Sequence, residues 1–457
     1  MSKIGVAIIS SGTGEDPQNL RRCLKSIAPY VEGIFVTLTG PRDQLQKTED
    51  VCREFGAHIS YHDPFWIVTT EAVVWLTDYL GYPPYMKVGD KLFLFDEARN
   101  FNFAQVPKEY EWIFWIDTDD VLVGGENLWK LKTIADQAKV ELFFIKYVYR
   151  ATLDNKGRVK DVLIEHLKER MVRNGMFKWV GPVHEALVEL KPTLRTHVDD
   201  CHVLHMTDYE HIKKSIVRNF PLLELALYRS EGKDPRHIYF LAKAYLDLRN
   251  AENNEKAIPL IKAFLWGKYQ SEWPEERAQA YEYLSDIYRQ KGELNNAIKA
   301  CMQALTEEPE RNSIYLNIAL AYLDKKEWDR ALFWTHLANK LVDKKTTLSV
   351  NPRDMKVIKL STIYTASLNK GKTYDAYDAA SKLHETLPND SSVKQAYDFI
   401  KQQKEQRDVA TTISAFVDYL KSIGEEEKII SLLGNIPNII KNDPLIGQIK
   451  REFLVQR

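Results

Sequence analysis

Cysteine is scarce in this chain of 457 residues: four, at Cys23, Cys52, Cys201 and Cys301. None stands near another and no C-x-x-C occurs. That pattern argues against a disulfide framework and a zinc–thiolate centre, and it fits a reducing compartment. Long apolar runs are missing too. No window approaches the length that spans a bilayer, and the apolar stretch in the opening MSKIGVAIISSG is too short for a signal-peptide core. A cytoplasmic protein is expected, from a cell or from a virus that infects one. Neither sign of charge dominates: Lys plus Arg number 63 against 64 Asp plus Glu, a formal net charge of −1. Without a long basic tract, electrostatics gives no support to a non-specific grip on nucleic acid. What is present suits two or three ordinary globular domains, with 44% apolar and 28% charged residues.

The first half alternates between strand and helix patterns. IGVAIIS (Ile4 to Ser10) is a short β-branched run closed by turn residues, and Asn19 to Ile27 carries apolar Leu20, Leu24 and Ile27 at helical spacing. Gly33 to Thr39, Ala57 to His62, Glu111 to Ile116 and Glu141 to Arg150 read as further strands, with a helix expected over Thr48 to Phe55. The run EWIFWI is apolar on both faces, as in a central strand covered by helices on each side of a mostly parallel sheet.

That run ends in Asp117, Thr118, Asp119 and Asp120. In open α/β sheets ligands bind beyond the carboxyl ends of the strands, so the carboxylates arrive at the binding rim. A single Asp there can cap a following helix. Three together repel one another unless something cationic sits among them, which favours a metal or ligand role.

The second half is helical and repetitive. Tyr281, Leu284, Ser285, Tyr288, Gly292, Ala297, Ala304 and Pro309 stand at tetratricopeptide-repeat (TPR) spacing. Tyr315, Ile318, Ala319, Tyr322, Ala331 and Ala338 follow one period of about 34 residues later. Looser copies lie before, at Leu241 to Phe264, and after, at Leu360 to Pro388. The expected organisation is an α/β domain over 1–210 with an insertion at 63–90, linker helices over 211–235, repeats over 236–392 and a helical cap over 393–457.

With these motifs in hand, the first half resembles a family-2 glycosyltransferase of the GT-A fold. The resemblance rests on the Ser-rich loop from Ile8 to Thr13, RRCLKSI (Arg21 to Ile27), DEARNFNFAQ (Asp96 to Gln105), the D-x-D strand EWIFWIDTDD, and KERMVRNGMFKWVGPVHEAL (Lys168 to Leu187). His205 falls where many members keep a late histidine, ahead of the pair Arg218 and Asn219. Two features depart from the family. Leu38 stands where members commonly carry an Asp for the nucleotide base, leaving Asp43 alone in LTGPRD, and the stretch from Asp63 to Asp90 is longer and rich in aromatics. That stretch reads equally as a lid or acceptor platform and as a packed insertion.

The resemblance implies a metal-dependent, inverting transferase that moves a sugar from a nucleotide diphosphate, a UDP-sugar above all. It implies Mn²⁺ or Mg²⁺, hard cations that prefer oxygen ligands, with Asp117, Asp119 and His205 as the metal set. Asp120 is read as a helix cap. Ser10, Ser11, Asp43, Arg99, Asn100, Asp117, Trp179 and His184 are implied on the nucleotide sugar. Glu185 is the implied base for the acceptor hydroxyl, with Asp199 or Asp200 in reserve. The acceptor is expected to be macromolecular: a protein, a glycan, or the hydroxymethylated bases of phage DNA. No membrane span is expected, and a homodimer is compatible with the repeats. The competing reading is a TPR scaffold whose transferase-like domain has lost activity.

Overall fold

The computed structural model describes residues 2–12, 16–155, 158–206, 209–342 and 345–454; Thr13, the end of the Ser-rich loop, lies outside them. The chain opens with β1 (Ile4–Ser10), α1 (Asp16–Ile27), β2 (Gly33–Leu38), α2 (Gln46–Glu54) and β3 (His58–Tyr61), in the order and nearly at the bounds read from the sequence. The excursion over 63–90 adds β4 (Phe65–Ile67), α3 (Thr70–Leu80) and β5 (Lys91–Phe93). Then come α4 (Phe95–Ala104), β6 (Trp112–Trp115), β7 (Asp120–Val123), α5 (Leu128–Ala138), β8 (Leu142–Leu153), β9 (Val159–Arg173), β10 (Phe177–Val180), β11 (Ala186–Glu189) and β12 (Arg195–His205).

Eight strands form one sheet in the order β3-β2-β1-β6-β9-β8-β12-β7. The half from β3 to β6 is parallel, as expected. In the other half β12 lies parallel to β8, while β9 runs antiparallel to both β6 and β8, and β7 antiparallel to β12, so the sheet is mixed with parallel pairings in the majority. The short link between β8 and β9 allows a hairpin and not the crossover that parallel strands need. The central position of β6 is as its composition requires. Trp112, Phe114 and Ile116 enter the core on one face, and Ile113 and Trp115 enter a separate core on the other. Each such side chain contributes about 1.5–3 kcal/mol by burial, which fixes the position of whatever the strand carries at its tip.

The excursion is a packed insertion. β4 and β5 pair only with each other, outside the main sheet. Trp75 lies edge-on to Tyr228 and Tyr85 stacks on Phe220, both on α6 (Tyr209–Arg229). The fully buried Glu224 of α6 accepts the backbone N–H groups of Tyr85 (2.7 Å) and Met86 (2.9 Å).

The helical region continues with α7 (Pro235–Asp247), α8 (Ala251–Trp266), α9 (Pro274–Gln290), α10 (Leu294–Glu307), α11 (Asn312–Asp324), α12 (Trp328–Ala338), α13 (Pro352–Asn369) and α14 (Thr373–Thr386). The repeat alanines Ala297, Ala304, Ala319, Ala331 and Ala338 are all fully buried, where only a small side chain lets paired helices approach. Tight turns between paired helices use left-handed residues: Arg249, Gly292, Lys326 and Gly371. Lys326 stands where Gly292 stands one period earlier. α15 (Ser391–Ser422), α16 (Glu426–Gly434) and α17 (Pro444–Leu454) end the chain around a core of their own, including Val417, Leu420, Ile429 and Ile446.

By compactness the chain forms two units. The first is Met1–Ile287 with Gln303–Pro309 and Lys344–Arg353; the second is Tyr288–Met302, Glu310–Asp343 and Asp354–Arg457. The first unit therefore includes a segment between α12 and α13. There Val350 and Glu165 of β9 exchange both backbone hydrogen bonds (2.9 and 3.0 Å), and the Leu167 N–H donates to the Thr346 carbonyl (2.8 Å). Among the described residues no helix is long and apolar enough to cross a membrane.

Candidate active site

The DTDD tip is a tight turn. The Asp120 N–H donates to the Asp117 carbonyl (3.1 Å), the Asp119 carbonyl accepts from the Met206 N–H (2.7 Å), and Asp120 opens β7. A helix cap is therefore not its role. Asp120 is fully buried and its carboxylate is surrounded. Arg170 of β9 donates to Oδ2 (2.8 Å), the Tyr147 hydroxyl donates to Oδ1 (2.9 Å), and His205 Nδ1 lies 3.0 Å from Oδ1.

Asp117 faces guanidinium groups. Arg99 Nη2 donates to Oδ1 (2.7 Å), and Arg170 Nη1 lies 3.7 Å from Oδ2. Burial opposes ionisation of Asp117, but Arg99, then Arg170 and Lys168, hold its carboxyl far below the usual range. Arg99 bridges to Glu185 through Nε (3.0 Å to Oε1) and sits over the rings of Trp115 and Trp179. The positive charge that three clustered carboxylates require thus comes in part from two arginines of the chain itself.

Asp119 differs. No arginine or lysine among the described residues lies within 4.0 Å of it; His205 Nδ1, at 3.7 Å, is its ion-pair neighbour. Burial pushes its carboxyl up, and Asp120 and Asp117 add to this against the pull of His205. Burial disfavours the His205 imidazolium, yet the hydrogen bond to Asp120 and the charges of Asp119, Asp120 and Asp117 raise it overall. Ligand atoms of Asp119, Asp120 and His205 all lie within 4.8 Å of one another, a group able to hold a metal ion. Tyr149 stacks on the His205 ring (5.0 Å) and fixes its plane.

The remaining residues expected at the site fall into three groups. Ser10 and Ser11 join it through Asp16, whose Oδ2 accepts from both hydroxyls and from the Ser11 and Gly12 N–H groups; its Oδ1 accepts from the Thr118 hydroxyl (2.9 Å). Asn100 and Trp179 face each other: the Asn100 side chain both donates to the Trp179 carbonyl and accepts its N–H (2.9 Å each), and the indole is buried edge-on to Trp115. This clamp docks the β10–β11 hairpin on α4 and so carries Glu185 to Arg99. His184, left-handed at φ 49°, stacks on Phe240 of α7 (4.5 Å). Asp43 is exposed on a short turn. Its sequence neighbour Arg42 lines an open depression of about 170 Å³ together with Leu38, Gly40, Tyr61, His62 and Asp63. Asp199 pairs with Lys345, and Asp200 with Lys130.

Asp16, Tyr147, Lys168 and Arg170 escaped the sequence reading. The last two alternate along β9 with His166, so one face of that strand presents cations toward the acidic tip. Its Leu163, Leu167 and Met171 stand four apart, a helical spacing that masks the alternation.

No family model and no curated protein matches the chain. Solved TPR structures are similar to its helical region. MamA, at 19% identity and a TM-score of 0.31, covers 40% of this chain and 96% of its own. A tetratricopeptide repeat protein from Parabacteroides merdae, at 13% identity and a TM-score of 0.32, covers 53% and 93%. The second TPR domain of human RPAP3, determined in complex with an HSP70 peptide, is 17% identical with a TM-score of 0.24 and covers 28% and 98%. These likenesses concern the fold.

Proposed function

We propose that the α/β sheet carries a metal-dependent glycosyltransferase site that moves a sugar from a nucleotide diphosphate to a macromolecular acceptor, with the TPR helices recruiting that acceptor or a partner protein. The observation that carries this reading is the cluster of Asp119, Asp120 and His205 at the carboxyl end of β6, with ligand atoms within 4.8 Å. Oxygen and imidazole donors suit Mn²⁺, and Mg²⁺ with its waters. The like-charge environment of Asp119 leaves negative potential that a cation would relieve. Asp119 and His205 would hold the ion, with Asp120 behind His205 as its orienting carboxylate. When bound, the ion supplies charge neutralisation for a departing diphosphate.

The chain's own residues do the rest. Arg99 bonds both Asp117 and Glu185 and keeps the two carboxylates oriented. Glu185 Oε1 takes the Arg99 bond, which leaves Oε2 to accept the proton of the attacking hydroxyl. The depression between Leu38 and Tyr61, at the ends of β2 and β3, is the proposed seat of the base; Arg42 covers the Tyr61 ring at 3.2 Å.

Leu38, buried at the end of β2 in place of an acidic residue, favours the second reading, an inactive transferase-like scaffold. A thermal-shift screen of UDP-, GDP- and ADP-sugars with and without Mn²⁺ separates the two. A donor that stabilises the protein only with metal, and fails to do so with Asp119→Ala, supports the transferase. No metal-dependent shift with any donor leaves the scaffold.

A further inference from the structure

Three cations crowd one indole. The Arg99 and Arg170 guanidinium groups and the Lys168 ammonium lie 4.8, 4.0 and 4.9 Å from the ring of Trp115, the last residue of β6 before the acidic tip. Two of the three are paired. Arg99 bonds Asp117 (2.7 Å) and Glu185 (3.0 Å), and Arg170 bonds Asp120 (2.8 Å). Lys168 is not. Among the described residues its ammonium donates no hydrogen bond and has no carboxylate within 4.0 Å. Its neighbours are ring faces: Trp115 and, at 5.3 Å, Tyr147, which Arg170 also covers at 4.5 Å. The Tyr147 hydroxyl donates to Asp120, and the Tyr147 ring lies 5.7 Å from that of His205. These shared rings place Lys168 within the site.

An ammonium over two aromatic faces gains about 0.5–2 kcal/mol from them, less than a charge recovers from an ionic hydrogen-bonded partner. Burial, then Arg170, pulls its pKa down, against the attraction of Asp117. The residue is half-buried, withdrawn from bulk water and yet not sealed from a ligand. A compact point charge with three unused donors suits a single carboxylate, whereas the planar forks of Arg99 and Arg170 are engaged by the chain's own acids. In the transferase reading the ion at Asp119 and His205 meets the diphosphate, so the negative charge that answers Lys168 belongs to the sugar. We propose that Lys168 is a specificity-determining residue that pairs with the carboxylate of an acidic sugar, and that the donor is a nucleotide-diphosphate hexuronate. This rests on the transferase reading and narrows its substrate class.

The test is calorimetric titration of the full chain, with Mn²⁺ present, by UDP, UDP-glucose, UDP-glucuronate, GDP-mannose and GDP-mannuronate, for wild type, Lys168→Met and Lys168→Gln. Wild type should bind one acidic donor on the order of tenfold more tightly than its neutral counterpart. Lys168→Met should bind the two alike, with its affinity for UDP and for the neutral donor unchanged. Without ligand, Lys168→Met should melt no lower than wild type, because it removes one of three neighbouring cations; if it does not fold, Lys168→Gln carries the comparison. Acidic and neutral donors bound equally by wild type, or a preference that survives in the folded variants, overturns the role of Lys168 and leaves the transferase reading standing. Equal weakening of UDP and UDP-glucuronate by Lys168→Met overturns it too, by moving the lysine to the diphosphate. If wild type binds none of the five compounds, both readings fall.

Discussion

At the scale of single residues, Asp119 and Asp120 are adjacent in sequence and opposite in energetics. Asp120 is the partner of a fully buried arginine. Asp120→Asn leaves Arg170 charged in the interior with a weakened partner, and a loss of about 3–5 kcal/mol is expected in urea unfolding. Asp119 sits in the field of two like charges without an arginine of its own. Asp119→Asn should therefore raise the melting temperature of the metal-free protein while abolishing its response to Mn²⁺. Equal destabilisation by both variants would contradict this division. The acidic tip itself was legible because a fully apolar strand ending in three carboxylates has few explanations. Its counter-charges were not, since Arg170 and Arg99 are separated from it by 50 and 18 positions, and only the fold shows which cation meets which anion.

At the scale of elements, β1, β2, α2 and β3 were readable because short β-branched runs between turns leave one interpretation. β9 was not, because its inward face is charged, and a strand that lines a polar site breaks the alternation rule for a reason local sequence cannot state. The repeat helices were readable from buried alanines at a fixed period. One turn departs from the pattern: Lys326 holds a left-handed conformation where Gly292 does so one period earlier. Lys326→Gly should remove that strain and stabilise the protein by about 1 kcal/mol, read from its melting temperature. The excursion depends on α6 through Glu224, whose carboxyl burial pushes up to about 7, against the pull of the Tyr85 and Met86 N–H groups. A carboxyl raised in the folded state lends stability that is complete below about pH 4.5 and lost as pH rises through about 7. The hydroxyls of Tyr82 and Tyr245 nearby stay protonated over that range. Unfolding free energies at pH 5 and pH 8 should differ by less in Glu224→Gln than in wild type, by on the order of 3 kcal/mol. An unchanged difference would remove Glu224 from the account.

At the scale of the whole molecule, sequence periodicity and spatial compactness divide the chain differently. The change from strand-and-helix to repeat pattern near residue 210 is visible in the sequence. The return of Lys344–Arg353 to the first unit is not, since nothing in TTLSVNP marks it as a sheet neighbour. Val350→Pro removes the N–H that Glu165 accepts, and amide exchange at Glu165 and Leu167 should then quicken while α16 and α17 are unaffected. These two amides lie on β9, one to five positions from Lys168 and Arg170. A version of this protein cut back to its strand-and-helix half would thus present a raw hydrogen-bonding border beside its own acidic cluster, an invitation to stick to its copies. Anyone wishing to borrow that half as a portable module would need to carry along a short ribbon encoded more than a hundred codons downstream.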